Sequence, residues 1–231
     1  MARIGPDPAV LGVAYSTIYT VTTSPARQAT FIQIGLINTS SAVRIPSVRM
    51  VPSGVAGAAQ HTIIGGTKST LQPGQTMIYT FRQFLEDGDF IEWSADGASA
   101  ITGWIGAIEA TKDTTLYANI DAGYLTAITP GAEQLLATVP ANRQATLLEI
   151  ILHNTDTVDH IPTIYLPPSG GTPGVGNALV GVITTGQGIL KPGETRIHTV
   201  NLMRTAGSTV EALVDVANKV VCKLSYLSEA V

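Results

Sequence analysis

The sequence predicts an all-β chain made of two tandem, homologous antiparallel β-sandwiches of jelly-roll-like form. Apolar residues alternate with period two over segments of strand length. Pro, Gly, Asn and Asp interrupt those segments at short intervals, and long helical runs are absent. The chain also repeats itself over the length of a small domain.

The repeat is read most directly from Arg27-Gln28-Ala29-Thr30, which recurs 116 residues later as Arg143-Gln144-Ala145-Thr146. That offset holds without a gap from Arg27–Gly54 onto Arg143–Gly170, with 13 of 28 positions identical, Asn38-Thr39 onto Asn154-Thr155 and Pro52-Ser53-Gly54 onto Pro168-Ser169-Gly170 among them. A second block at offset 119 carries Leu71, Pro73, Gly74, Thr76, Ile78 and Thr80 onto Leu190, Pro192, Gly193, Thr195, Ile197 and Thr199. The three extra residues of the second copy fall in the Gly-rich stretch Gly170–Gly188, where a loop absorbs them. A period of this length exceeds the ~20–50 residues of solenoid repeats and matches whole domains.

Taken in order, residues 1–14 are expected as an arm outside the first sandwich, because Pro6 and Pro8 disfavour regular pairing. Strands are expected at Tyr15–Val21, Thr30–Ile37, Ser47–Val51, His61–Ile64, Thr76–Thr80, Phe90–Ala95 and Ile101–Glu109, the density of a β-sandwich. The first sandwich then covers 15–110, a linker 111–122 and the second sandwich 123–231.

Positions apolar in both copies mark the core. Ile32, Ile34 and Leu36, matched by Leu148, Ile150 and Leu152, are expected to face inward, as are Ile101, Gly103, Ile105 and Ala107 with Val220, Cys222, Leu224 and Tyr226. The alternate positions then face outward, yet they include Phe31 and Ile37 in one copy and Leu147 and Ile151 in the other, an apolar set that asks for a cover. Trp93 falls on a core-facing set. Trp104, replaced by Lys223 in the second copy, falls on the outer face and is a contact candidate, the alternative being a tryptophan covered by a loop of its own domain.

Composition narrows the function. Only 13% of the residues are charged, against roughly 25% in ordinary soluble domains. The net charge of −4 comes with no basic block, which argues against nucleic acid. Cys222 stands alone, so no intrachain disulfide forms. The opening residues carry no apolar signal region, and the most apolar stretches are far shorter than the ~20 residues of a membrane-spanning helix, so no membrane partner is expected.

No chemical motif rises above a structural reading. The four histidines, His61, His153, His160 and His198, share no ligand set between the copies, although His153 and His160 flank one turn, and no metal is expected. Asp87-Gly88-Asp89 lacks the further ligands of a calcium loop. Gly65-Gly66-Thr67-Lys68-Ser69 has Thr67 where a phosphate-binding loop needs glycine, so no nucleotide or other cofactor is expected. Ser53 and Ser169 lie in Pro-Ser-Gly turns rather than a nucleophile elbow, and Glu92 and Glu211 are expected to face out on open strands. No catalytic set can be named.

The segments Leu152-His153-Asn154-Thr155, Ile164–Gly171, Leu190-Lys191-Pro192-Gly193-Glu194-Thr195 and Val220–Ser225 resemble the short β-sandwich virion proteins of tailed bacteriophages. The resemblance covers most of both copies. The first departs from it with Gln75 in place of the Glu of the Pro-Gly-Glu-Thr turn, and it keeps Gly88-Asp89 where the second has Gly207-Ser208. It implies a non-enzymatic structural protein of the virion, made in the host cytoplasm and placed as a capsid decoration or a neck or tail accessory subunit. Its implied partners are other virion proteins and further copies of itself. Low charge and apolar outer positions suit a subunit buried by neighbours. A carbohydrate-binding host-recognition module, with Trp104 stacking on sugar rings, is the alternative from another class, and an enzyme ranks last.

Overall fold

A computed structural model describes residues 2–4, 9–111, 117–127, 129, 131–180 and 188–230; among these, some side chains, Phe31 included, lie outside the described set. The chain divides into two compact units, Met1–Asp113 and Thr114–Val231.

In the first unit the described strands are β1 (Ala2–Ile4), β2 (Ala9–Val10), β3 (Ser16–Thr20), β4 (Arg27–Asn38), β5 (Pro46–Val51), β6 (Thr62–Ile64), β7 (Thr76–Leu85), β8 (Phe90–Ala95) and β9 (Ile101–Thr111). They form two antiparallel sheets, β1-β9-β4-β7, with β2 also on β9, and β3-β8-β5-β6. In the second unit β10 (Tyr117–Tyr124), β11 (Gln134–Thr138), β12 (Arg143–Asn154), β13 (Thr163–Tyr165), β14 (Ala178–Val180), β15 (Thr195–Arg204), β16 (Thr209–Leu213) and β17 (Val220–Ala230) pair as β10-β17-β12-β15 and β11-β16-β13-β14. When β1 and β2 count as one strand position, both units read first-eighth-third-sixth and second-seventh-fourth-fifth. That is the strand order of a jelly roll. The expected all-β pair of sandwiches is the observed fold.

Two boundaries differ from expectation. Residues 1–14 do not form an outlying arm: Ala2–Ile4 pair with Ala107–Glu109 and Ala9 and Val10 with Gly103 and Thr102, while Leu11 is fully buried and donates its N–H to the Ile101 carbonyl at 2.8 Å. Pro6 and Pro8 lie outside the described residues. The proline argument fails because these pairings form the edge of the sheet, where proline is tolerated nearby. The expected linker likewise contains β10, which pairs with β17 as the first strand of the second jelly roll.

A third difference concerns faces. On β12, Leu147 pairs with Leu202 and Tyr226, and Glu149 with Thr199 and Ser225, so Leu148 is skipped in both ladders as a β-bulge. The alternation resets there. Ala145 and Leu147 before the bulge share the inner face with Ile150 and Leu152 after it, and Leu147 is 2% exposed within the core of Leu125, Ile164, Leu190, Val214 and Leu224. Leu147 is therefore a core residue rather than an outward one, and Leu148 is not the inward residue expected. In β4 the same skip falls at Ile32, between Phe31 and Gln33. Phe31 pairs with Ala107 and Gln83, the positions matching Tyr226 and Leu202, which gives it the register of Leu147; its side chain is outside the described residues.

Candidate functional site

The residues that the two units share are loop clamps. Asn38, at the end of β4, donates from Nδ2 to the carbonyls of Ala42 (2.7 Å) and Leu71 (2.8 Å), and its Oδ1 accepts the Ser40 N–H at 2.9 Å. Asn154, at the end of β12, repeats this on Val158 (2.8 Å), Leu190 (2.9 Å) and the Asp156 N–H (2.8 Å). Both asparagines are fully buried, so each bond answers a carbonyl or N–H that would otherwise be stranded. The neighbouring Thr39 and Thr155 donate N–H and hydroxyl to the carbonyls of Ala100 and Lys219. In the Pro-Gly turns the Gln75 side chain accepts the Gln72 N–H at 2.8 Å and Glu194 the Lys191 N–H at 2.7 Å, so the departure at Gln75 preserves the bond.

The serines of the Pro-Ser-Gly turns have a packing role. Gly88 and Gly207 sit at φ +84° and +76° on the turns after β7 and β15, and a Cβ on either would overlap the hydroxyl of Ser53 or Ser169. Asp89 ties the first of these turns, accepting the N–H groups of Ser53 (2.9 Å) and Glu86 (2.8 Å). The Gly65–Ser69 segment closes on itself, with Ser69 Oγ accepting from Gly65 N–H and donating to its carbonyl.

The densest ionisable group of the second unit joins two of its loops. His160, 1% exposed, has Nδ1 3.2 Å from Asp215 Oδ1 and Nε2 3.1 Å from Asp156 Oδ2, and Lys219 Nζ lies 3.4 Å from the same Asp156 oxygen. The Asp156 carboxyl is held down at about 2, first by the Thr157 N–H, then by His160, with Lys219 contributing less. Asp215 also accepts the Ile161 N–H, as Asp96 accepts that of Ile45. Arg44 occupies the place of His160 in the first unit, with its guanidinium against Gly97. These groups fasten loops.

Other polar groups are likewise engaged. Glu109, 3% exposed, accepts the Tyr19 hydroxyl at 2.6 Å and lies 3.8 Å from Arg27; burial, then that carboxylate, raises the Tyr19 pKa above its usual range. Glu92 faces away from the core as expected but is not open to solvent, being paired to Arg49 at 3.1 Å beneath Gly57. Glu211 accepts the Thr209 hydroxyl at 2.6 Å. His153 does not join His160. It sits on the outer face of β12, hydrogen-bonded to Thr195 Oγ1 at 2.9 Å, and burial pushes its pKa down to about 4. Burial, and then Arg196, lowers that of His198. Among the described residues no group of three or more His, Cys, Asp or Glu is arranged to hold a metal. An open hollow of about 260 Å³ beside Val10, Ser16, Ile18, Trp93 and Trp104 has no ionisable lining.

The remaining candidates lie on the outer faces of the β4 and β12 sheets. Trp93 is 2% exposed in the core, its ring over Gly103, and Cys222 is fully buried. Trp104 faces outward from β9, half-buried, opposite Gly35. A Cβ on Gly35 would land among Cε2, Cζ2 and Cη2 of that ring, which lays one face of the indole on the glycine backbone. Ile37 is outward and half-buried, between Thr102 and Thr76. Ile151 is outward too, but 1% exposed, as are its neighbours Glu149 and Lys223. Sequence reasoning missed Gly35, although the repeat held the signal: the cross-strand pair Gly35 and Trp104 becomes Ile151 and Lys223.

No family model matches the chain, and no curated protein matches it. Solved structures similar to it include the triple jelly roll of the turret assembly of an archaeal virus, at 12% identity and TM-score 0.29 over 99% of this chain and 59% of that one. The major capsid protein P2 of bacteriophage PM2 is similar at 9% identity and TM-score 0.38, over 100% of this chain and 98% of that one. The stem and receptor binding domain of the PM2 spike protein P1 is similar at 8% identity and TM-score 0.28, over 100% and 97%. The chain thus spans about three fifths of the archaeal virus chain. Likenesses this distant assign no function, and the jelly-roll fold rests on the strand order.

Proposed function

We propose that the chain is a non-enzymatic virion structural protein of a tailed bacteriophage, assembling on the particle as a capsid decoration or as a neck or tail accessory subunit. The observation that carries this reading is where the shared residues go. Asn38 and Asn154, Thr39 and Thr155, and Gln75 and Glu194 all pin loops. A chain whose recurring polar residues secure its framework is suited to bearing contacts. Its low charge and the resemblance of Leu190–Thr195 and Val220–Ser225 to virion sandwiches support the same reading. Its partners are then other virion proteins and copies of itself.

Mass-spectrometric inventory of purified particles, with subunit copy number, tests the reading. The chain is expected at a fixed stoichiometry that survives washing. Absence from particles, or a hydrolytic activity lost on changing Glu92 or Glu109, overturns it.

A further inference from the structure

We propose that the outer face of β4, β7 and β9 carries a binding site for a neutral saccharide, with a pyranose ring stacked on Trp104. Register places Thr76, Ile78 and Thr80 of β7, Ile37, Gly35 and Gln33 of β4, and Thr102, Trp104 and Gly106 of β9 on one side of the sheet. None of the nine is charged, so these residues themselves offer no counter-charge to an anionic or cationic ligand, and the exposed Arg82 stands beyond Thr80 at the margin of the face. They are exposed or half-buried apart from Gly35.

The shape fits a flat ring. With one indole face on the Gly35 backbone, the ring lies along the sheet and its far face is the platform. Beside it, among the described residues, no atom comes within 4 Å of where a Cβ on Gly106 would stand, so they leave that flank of the platform clear. Gln33, opposite Gly106 and Thr80, and Thr102, next to Trp104, supply amide and hydroxyl groups at the rim. An apolar wall with a few neutral hydrogen-bonding groups suits a sugar, whose ring presents C–H on its faces and hydroxyls at its edge. The second unit fills the place of Gly35 with Ile151 and that of Trp104 with Lys223, both 1% exposed, so the site belongs to the first unit alone. The inference holds wherever the chain resides, and its failure leaves the particle inventory untouched.

The test is binding of the full chain to an array of neutral glycans, followed by saturation-transfer NMR with the methyl glycosides of the hits. Wild type is expected to bind, and Trp104→Ala to weaken binding about tenfold or more, with Trp104→Phe retaining most of it. Gly106→Leu, which fills the flank that the described residues leave clear while keeping Trp104 in place, is expected to block binding and decides the matter if Trp104→Ala does not fold. No glycan bound by wild type, binding that survives Gly106→Leu, or a Trp104→Ala chain whose defect is loss of self-association in light scattering each overturns the proposal, the last in favour of a protein contact.

Discussion

On the sheet β1-β9-β4-β7 the centre of the outer face is Gly35 beneath Trp104, uncharged and partly open; on β10-β17-β12-β15 it is Ile151 beside Lys223, with Glu149 and His153 close by and all four nearly inaccessible. Behind these faces the two jelly rolls use the same asparagine, threonine and turn devices on the same carbonyls. The interior thus tolerates little change, because a lost clamp strands buried backbone groups; on the outer face β15 keeps the Thr, Ile and Thr of β7, whereas the positions facing outward from β4 and β9 all differ in β12 and β17. Functional difference between the units is to be sought on those faces.

The strongest challenge to this comparison is to remove the shared clamps one at a time. Asn38→Ala is expected to cost about 4 kcal/mol and Asn154→Ala about 3 kcal/mol in chemical denaturation, roughly 1 kcal/mol for each bond lost, Asn38 making one more than Asn154 by accepting the Ser40 hydroxyl. A large cost at one and none at the other would show that the units do not share a framework. Leu147→Ala should cost a similar ~3 kcal/mol as a core cavity, and Leu148→Ala at the bulge clearly less.

Acid should separate the units next. His153 has no histidine counterpart, Ile37 standing in its place, and its folded pKa of about 4 lies below the ordinary 6.5. The unfolded chain therefore takes up the proton first: this contribution is complete above 6.5 and is lost as the pH falls toward 4, amounting to about 3 kcal/mol. His198 acts in the same direction, whereas Asp156 weakens the fold only below its ordinary 3.8, as the pH approaches 2. Denaturation of the whole chain at graded pH checks this, and His153→Ile should flatten the upper window.

Smaller effects sharpen the comparison. His160→Arg, which copies Arg44, should stay within about 1 kcal/mol, while His160→Ala leaves two carboxylates facing a void and should cost about 2 kcal/mol. Gln75→Glu and Glu194→Gln should each lie within about 0.5 kcal/mol, since either side chain offers the oxygen that accepts the turn N–H. A clear loss at either would mean that charge, beyond the hydrogen bond, holds that turn.

By itself the sequence determined the fold class, the strands from β3 to β9 and the turn glycines. These follow from local chemistry: period-two apolarity, the freedom of glycine at positive φ, and the recurrence of each signal 116 or 119 residues on. Only the tertiary structure decided the first strand, the faces of β4 and β12, and the partners of His160. A bulge at Ile32 or Leu148 resets the alternation without changing the residues around it. Ala2–Ile4 and Ala9–Val10 look like an arm until β9 pairs with them. Asp215 reaches His160 from 55 residues away, and a contact set by chain folding leaves no local trace in composition or spacing.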